Sequence, residues 1–312
     1  MKSQKRKSAT AWGSVAGWYD DLLEKEAGTY QRELILPNLL RLLGDVRGKT
    51  ILDLACGQGF FAREFAKAGA RVIGVDAAKP LVELAKKKGS PSTGSGSMPR
   101  IDYHVAAADD LGFLASGSPV RSRARATGTS PSGTAGAATS NGMDAVVIVL
   151  ALQNIENIAG VFKECARVLQ PNGKLLFVIN HPAFRVPKAS SWGWDPDQNV
   201  QYRRIDAYAS EAKERIQMHP STSSGQVHSA ASRLRKAPDG QAGLSAQATD
   251  DYTISFHRPL QSYFKALSKN GFVVTRMEEW NSHKKSEPGP RAGEEDRARR
   301  EIPLFLAIEA VA

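Results

Sequence analysis

The sequence predicts an α/β fold: a doubly wound, mostly parallel sheet with helices on both faces. Three observations carry this. Apolar runs alternate with amphipathic helical stripes, as a series of βαβ units requires. The run Ala145–Leu150 is continuously apolar, the pattern of a strand buried on both faces. The first apolar run, Thr50–Leu54, leads straight into a glycine-bearing turn and then a helix.

Each element follows in order. Thr50–Leu54 reads as the first strand. Phe60–Ala68 reads as a helix with Phe61, Phe65 and Ala68 on one face. Arg71–Val75 is the second strand, ending at Asp76, and Pro80–Lys88 is a helix with Leu81, Leu84 and Ala85 as its stripe. Ile101–Val105 is the third strand, followed by Asp109. Ala145–Leu150 is the fourth. Ile155–Leu169 is a helix with Ile158, Phe162, Cys165 and Leu169 at helical spacing. Pro171–Gly173 is a turn before the fifth strand, Lys174–Ile179. Leu260–Leu267 marks a helix stopped near Gly271. Phe272–Thr275 and Leu304–Ala310 are the last two strands. The second of them follows a loop without a helix, so an antiparallel pair is expected.

Composition narrows the function classes. The longest purely apolar run, Ala145–Leu152, falls far short of the roughly twenty residues a membrane span needs. The basic Met1–Thr10 segment has no apolar stretch after it and does not read as a secretory signal. Cys56 and Cys165 are the two cysteines, with no CxxC pair, so neither a disulfide framework nor a metal site is expected. A reducing, cytoplasmic setting is the expectation. The net charge of +10 suggests nucleic acid at first sight. Most of that excess, however, sits at Lys2–Lys7, at Arg121, Arg123 and Arg125, and at Arg233–Lys236, in segments without periodicity. A basic groove on the folded body is not indicated, and a nucleic-acid partner is not expected.

The organisation expected is a basic tail, 1–11, and a single domain, 12–312. Four low-complexity loops, 89–99, 115–142, 220–249 and 283–300, interrupt it. Three of them share Ser/Gly/Thr-rich text: SPSTGSG, TSPSGTAG and PSTSSGQ. They read as insertions at exposed loops, where added length costs little.

The chemistry concentrates at residues 51–59, ILDLACGQG. Gly57 and Gly59 let backbone approach a ligand where a Cβ would collide. In open α/β sheets ligands bind at the carboxyl ends of the strands. Asp76, at the end of the second strand, is placed to accept ribose hydroxyls, and Asp109, after the third, an adenine amino group. Residues 57–62 also match the GxGxx[G/A] dinucleotide pattern. Asp53 separates the two readings. A carboxylate four residues before Gly57 suits the amino group of a methionine moiety and does not suit a pyrophosphate.

The stretch ILDLACGQGFFAREFAKAGARVIGVD resembles the first nucleotide motif of class I S-adenosylmethionine (SAM)-dependent methyltransferases, of the small-molecule, quinone-biosynthesis-like type. Trp18–Asp20, Asp144–Val149, ARVLQPNGK at Ala166–Lys174, and NGF at Asn270–Phe272 resemble further pieces of that family in the same order. Asn172 stands where a Gly is usual. The resemblance implies a seven-stranded sheet of order 3-2-1-4-5-7-6 and a SAM cofactor. It assigns Asp53, Gly57 and Gly59 to the methionine side, Ala55 to the cofactor site and Asp76 to the ribose. Asp109 goes to the adenine, with Asp110 as the register alternative. Leu152 and Gln153 lie beside the sulfonium, and Tyr19 closes over the cofactor. One departure is the long 115–142 segment, where the family has a short link.

The acceptor is expected to be a small molecule bound beyond the fifth strand. There NHPAFRVP is followed by Trp192, Trp194, Tyr202, Arg203, Arg204 and Tyr208. These either wall a pocket for a planar or anionic acceptor or pack the connection against the sheet. His181, directly after the fifth strand, is either a general base or a capped histidine at a proline turn. His257–Arg258–Pro259 reads as helix-start chemistry. The alternatives are a non-catalytic SAM- or nucleotide-binding protein and an RNA methyltransferase. The absence of an NPPY-like motif at Ala151–Asn154 weighs against the latter.

Overall fold

In the computed structural model, residues 11–25, 28–89, 101–116, 142–218 and 252–312 are described. The strands of the main sheet are β1 (Thr50–Leu54), β2 (Arg71–Asp76), β3 (Ile101–Val105), β4 (Met143–Val149), β5 (Leu169–Asn180), β10 (Val273–Trp280) and β11 (Phe305–Val311). They lie in the order β10-β11-β5-β4-β1-β2-β3. Counting only these seven, that is the expected 3-2-1-4-5-7-6. The first five run parallel, and β11 runs antiparallel to both β5 and β10.

Period-2 alternation splits the strands between two cores. Ile51, Val147, Leu176 and Val178 face one side, packed with Phe61 and Phe65 of α3 (Phe60–Lys67) and Leu39 of α2 (Leu36–Leu43). Leu52, Val146, Ile148 and Phe177 face the other, packed with Phe162 and Cys165 of α5 (Ile158–Val168) and Tyr263 and Leu267 of α6 (Leu260–Lys269). Val146, Val147 and Ile148 have no solvent exposure. Burying each such side chain is worth about 1.5–3 kcal/mol, so this run has no stable place outside a two-faced layer.

Several expectations need correction. The stretch 283–300 is not a loop throughout: α7 (Ala292–Glu301) occupies its second half and stands between β10 and β11. Ala298 is its one buried residue, so no apolar stripe announces it. Its charges do. Glu294 and Glu295 fill the first turn, Arg299 and Arg300 the last, and Arg297–Glu294 (2.8 Å) is an i,i+3 pair. The antiparallel pairing of the last strands stands. The turn Pro171–Gly173 lies within β5, where Asn172 takes φ 65° and the ladder to β4 shifts register between Met143 and Ala145. The helix expected from Ile155 begins at Ile158, after a 3-10 turn at Leu152–Asn154.

Two hairpins extend from the carboxyl side of the sheet: β6 (Ser190–Asp195) with β7 (Val200–Ile205), and β8 (Ala212–Gln217) with β9 (Tyr252–His257). Residues 90–100, 117–141 and 219–251 hold nearly all of the first three expected loops and lie outside the described residues. No helix among the described residues is long and apolar enough to cross a membrane.

Candidate functional site

The turn leaving β1 is built from left-handed residues. Ala55 (φ 63°), Gly57 (φ 56°) and Gly59 (φ 81°) alternate with Cys56 and Gln58. Cys56 N–H bonds to Val75 O at 2.9 Å, tying the turn to β2. A Cβ at Gly59 would overlap the Tyr103 hydroxyl, and one at Gly57 would stand 3.5 Å from the Tyr19 ring. Tyr103 also fills the space beside Gly74 of β2 and Gly89 at the end of α4 (Lys79–Gly89). Sequence reasoning missed this buttress; the glycine interrupting strand text RVIGVD was its signal.

Asp53 lies beneath the turn, 1% exposed. One carboxylate oxygen accepts the Ala62 N–H, serving the first turn of α3, which has no side-chain cap of its own. The other, Oδ2, is buried without a hydrogen-bond partner. Burial pushes this carboxyl up to about 7, with Asp76 adding to the rise. Asp76 closes the turn from β2: Oδ2 accepts Gly57 N–H (2.9 Å) and Oδ1 accepts Ala78 N–H (2.8 Å). Burial raises its pKa too. Tyr19, on α1 (Ala16–Lys25), covers the turn. Burial and the nearby Asp76 and Asp53 push its phenol well up, and Trp12 packs edge-on at 5.4 Å. Arg63 holds Gln58 through its carbonyl (2.8 Å) and side-chain Oε1 (3.0 Å).

The other residues singled out above have partners of their own. Leu152 is fully buried in the second core, so it anchors its turn and does not face the cleft. Gln153 Nε2 donates to Leu150 O (2.7 Å), and its Oε1 is buried without a partner. Asp109 accepts from Asn157 Nδ2 (2.8 Å), and Asn157 Oδ1 in turn caps α5 at Gly160 N (3.0 Å). Asp110 is exposed.

His181 is 2% exposed. Its Nδ1 accepts Ala183 N–H (3.2 Å), and its Nε2 lies 2.7 Å from Glu279 Oε1. That pairing makes Nε2 the protonated nitrogen and leaves no free lone pair for a base. Burial lowers its pKa despite Glu279. The capped-histidine alternative describes it. His257 and Arg258 likewise serve structure: His257 Nε2 meets Tyr208 O (2.8 Å), and Arg258 donates to the carbonyls of Ile155 (3.0 Å) and Glu156 (2.7 Å) ahead of α5. No group of three or more metal-ligating side chains occurs among the described residues. A cavity of about 240 Å³, lined by Leu43, Ile51, Asp144 and Lys174, opens at the amino ends of β1 and β4. It lies across the sheet from the glycine turn and holds none of these groups.

Known proteins share this architecture. A family model described as a methyltransferase domain matches residues 27–220. The ubiquinone biosynthesis O-methyltransferase of Xanthomonas oryzae is 28% identical over 131 residues, 42% of this chain and 43% of that protein. The demethylmenaquinone methyltransferase of Tropheryma whipplei is 27% identical over 143 residues, 46% of each chain. The chain thus spans less than half the length of these curated relatives. Among solved structures, a SAM-dependent methyltransferase from Mesorhizobium loti superposes with TM-score 0.57 at 21% identity, covering 88% of this chain and 96% of that one. One from Listeria monocytogenes gives 0.54 at the same identity and coverage. With most of its length matched by the family model and a sheet of the order that its sequence motifs implied, the chain belongs to the methyltransferase domain family.

Proposed function

We propose that the chain is a SAM-dependent methyltransferase acting on a small-molecule acceptor. The observation that carries this is Asp53 Oδ2: a buried carboxylate oxygen with no partner, set under a turn of left-handed residues at the carboxyl end of β1. Such an atom is costly to leave unmet, and the ammonium of a methionine moiety meets it. The rest of the turn fits the same ligand. Gly57 leaves the face under Tyr19 free of a Cβ, Asp76 is the residue proposed for the ribose, and Tyr19 covers the turn. Gln153 supplies a second unmet acceptor at the end of β4. Asp109 remains the residue proposed for the adenine, held in place by Asn157.

Bound there, SAM supplies an activated methyl group on a sulfonium. What the protein adds is placement of the acceptor and exclusion of water. No general base is assigned, because His181 has both nitrogens engaged. The relatives' quinone chemistry supports a small aromatic acceptor.

Calorimetric titration of SAM and NADH tests the cofactor. SAM should bind and NADH should not. Asp53→Asn should weaken SAM about tenfold to a hundredfold, the range for a charged hydrogen bond of roughly 1.5–3 kcal/mol. Tighter binding of NADH than of SAM would sink the reading. A methyl-release assay on cell extract split into small-molecule and RNA fractions then separates the acceptor classes, and turnover confined to the RNA fraction would overturn the small-molecule assignment.

A further inference from the structure

Beyond the carboxyl end of β5 the chain gathers arginines around one aromatic wall. Arg185 N–H bonds to His181 O (2.8 Å), so the turn after the strand fixes where its side chain starts. Its guanidinium lies over the Trp192 ring of β6, 5.4 Å from the centroid. Arg203 of β7 lies over the same ring at 5.3 Å. The two differ in what else holds them. Arg203 donates from Nε to Phe184 O (2.8 Å) and from Nη2 to Ser190 Oγ (2.7 Å), so it is fastened to the hairpin. Arg185 Nε is buried with no hydrogen-bond partner, and no carboxylate among the described residues pairs with the group.

The charges near Arg185 have the wrong sign to help it. Burial lowers its pKa to about 10, and Arg203 and, from α7, Arg299 add to the fall as like charges. Nearby carboxylates are already engaged: Glu279 by His181, and Asp296 by Ser286 N–H (2.7 Å) and Arg299 (3.9 Å). Tyr30 is also close to Arg185; its hydroxyl bonds to Ser282 Oγ (2.8 Å). A half-buried cation among cations is a standing cost, and a planar fork of donors beside an indole face is built to take a flat oxyanion in a two-point grip.

We infer that Arg185, its guanidinium held over Trp192, anchors a carboxylate carried by an aromatic acceptor, with Arg203 and Arg299 deepening the positive field. The inference rests on the proposed methyltransferase reading only for its location, next to the strand end where the acceptor should sit. It narrows the acceptor from a small molecule to an aromatic acid.

Calorimetry on the full chain tests it, with benzoate as the probe, benzamide as its neutral isostere and inorganic phosphate as the competing oxyanion. Benzoate should bind at least tenfold more tightly than benzamide and more tightly than phosphate. Arg185→Met should lower benzoate affinity at least tenfold and leave SAM affinity unchanged. The same variant, free of ligand, should melt no lower than the parent, because it removes a half-buried charge with no carboxylate partner among the described residues. A residue present only for packing would show the reverse: a lower melting temperature and no change in benzoate affinity. Should Arg185→Met fail to fold, the benzoate–benzamide comparison on the parent protein still decides. Equal affinity for the two, or a preference for phosphate, overturns the assignment. Failure of SAM to bind the parent would remove the methyltransferase reading while leaving the benzoate preference to stand or fall separately.

Discussion

Asp53 does two things with one carboxylate. It closes the first turn of α3 through Ala62 and keeps Oδ2 in reserve. Its pKa rises from the usual carboxylate range to about 7, so the folded chain holds this proton more tightly than the unfolded chain does. Stability from this group is therefore fully present below about pH 4 and declines as the pH climbs to about 7. Asp76, shifted in the same direction, adds to that slope. Cation binding runs the opposite way, because it needs the ionised form. In urea titrations of the ligand-free protein, Asp53→Asn should flatten part of the fall in stability between about pH 4 and about pH 7. SAM affinity of the parent should strengthen by about tenfold from pH 6 to pH 8, while that of the variant should not. Parallel pH profiles for parent and variant would show that Asp53 does not titrate in this window. Asp53 was legible because an acid at the end of an apolar strand is out of place. Tyr103 was not, because its role depends on three glycines far apart in sequence meeting at one ring.

At the scale of elements, local chemistry and tertiary packing divide the work. α5 starts where Asn157 caps it, three residues later than its apolar spacing suggests, and Asn157 also holds Asp109. Asn157→Ala should cost about 1 kcal/mol in urea unfolding; an unchanged midpoint would mean the cap is not closing the helix. α7 teaches the complementary lesson. A helix that buries one alanine leaves no trace in apolar periodicity, yet its acids-first, bases-last charge order was there to be read. The β6–β7 hairpin escaped notice for another reason. Trp192 and Trp194 share a face with period 2, but they face arginines from β7, from the turn after β5 and from Arg291 before α7, not the apolar core.

For the whole molecule, the sheet is finished without the low-complexity text. Leu111 is pinned to α5 through Glu164 (2.9 Å) and Arg167 (3.0 Å), and β4 resumes at Met143 with the ladder to β1 starting two residues on. Replacing residues 118–140 with a short Gly/Ser linker should leave the melting temperature within a few degrees and SAM affinity within about threefold, because flexible loop length enters stability only logarithmically. Insoluble protein, or loss of SAM binding, would give that segment a part in the fold or the site.

The succession of strands along the chain, the glycine turn and the acids that ring it could all be read in one dimension. Each is a local consequence of apolar period, of backbone that only glycine tolerates, or of a charge at a strand end. Which of those polar groups are already paired is a different kind of fact. His181 and Glu279 are 98 residues apart, and Arg185 stands unpaired because α7 and β7 bring it arginines instead of acids. Partnership between distant side chains is set by how layers pack, and only the folded chain decides it.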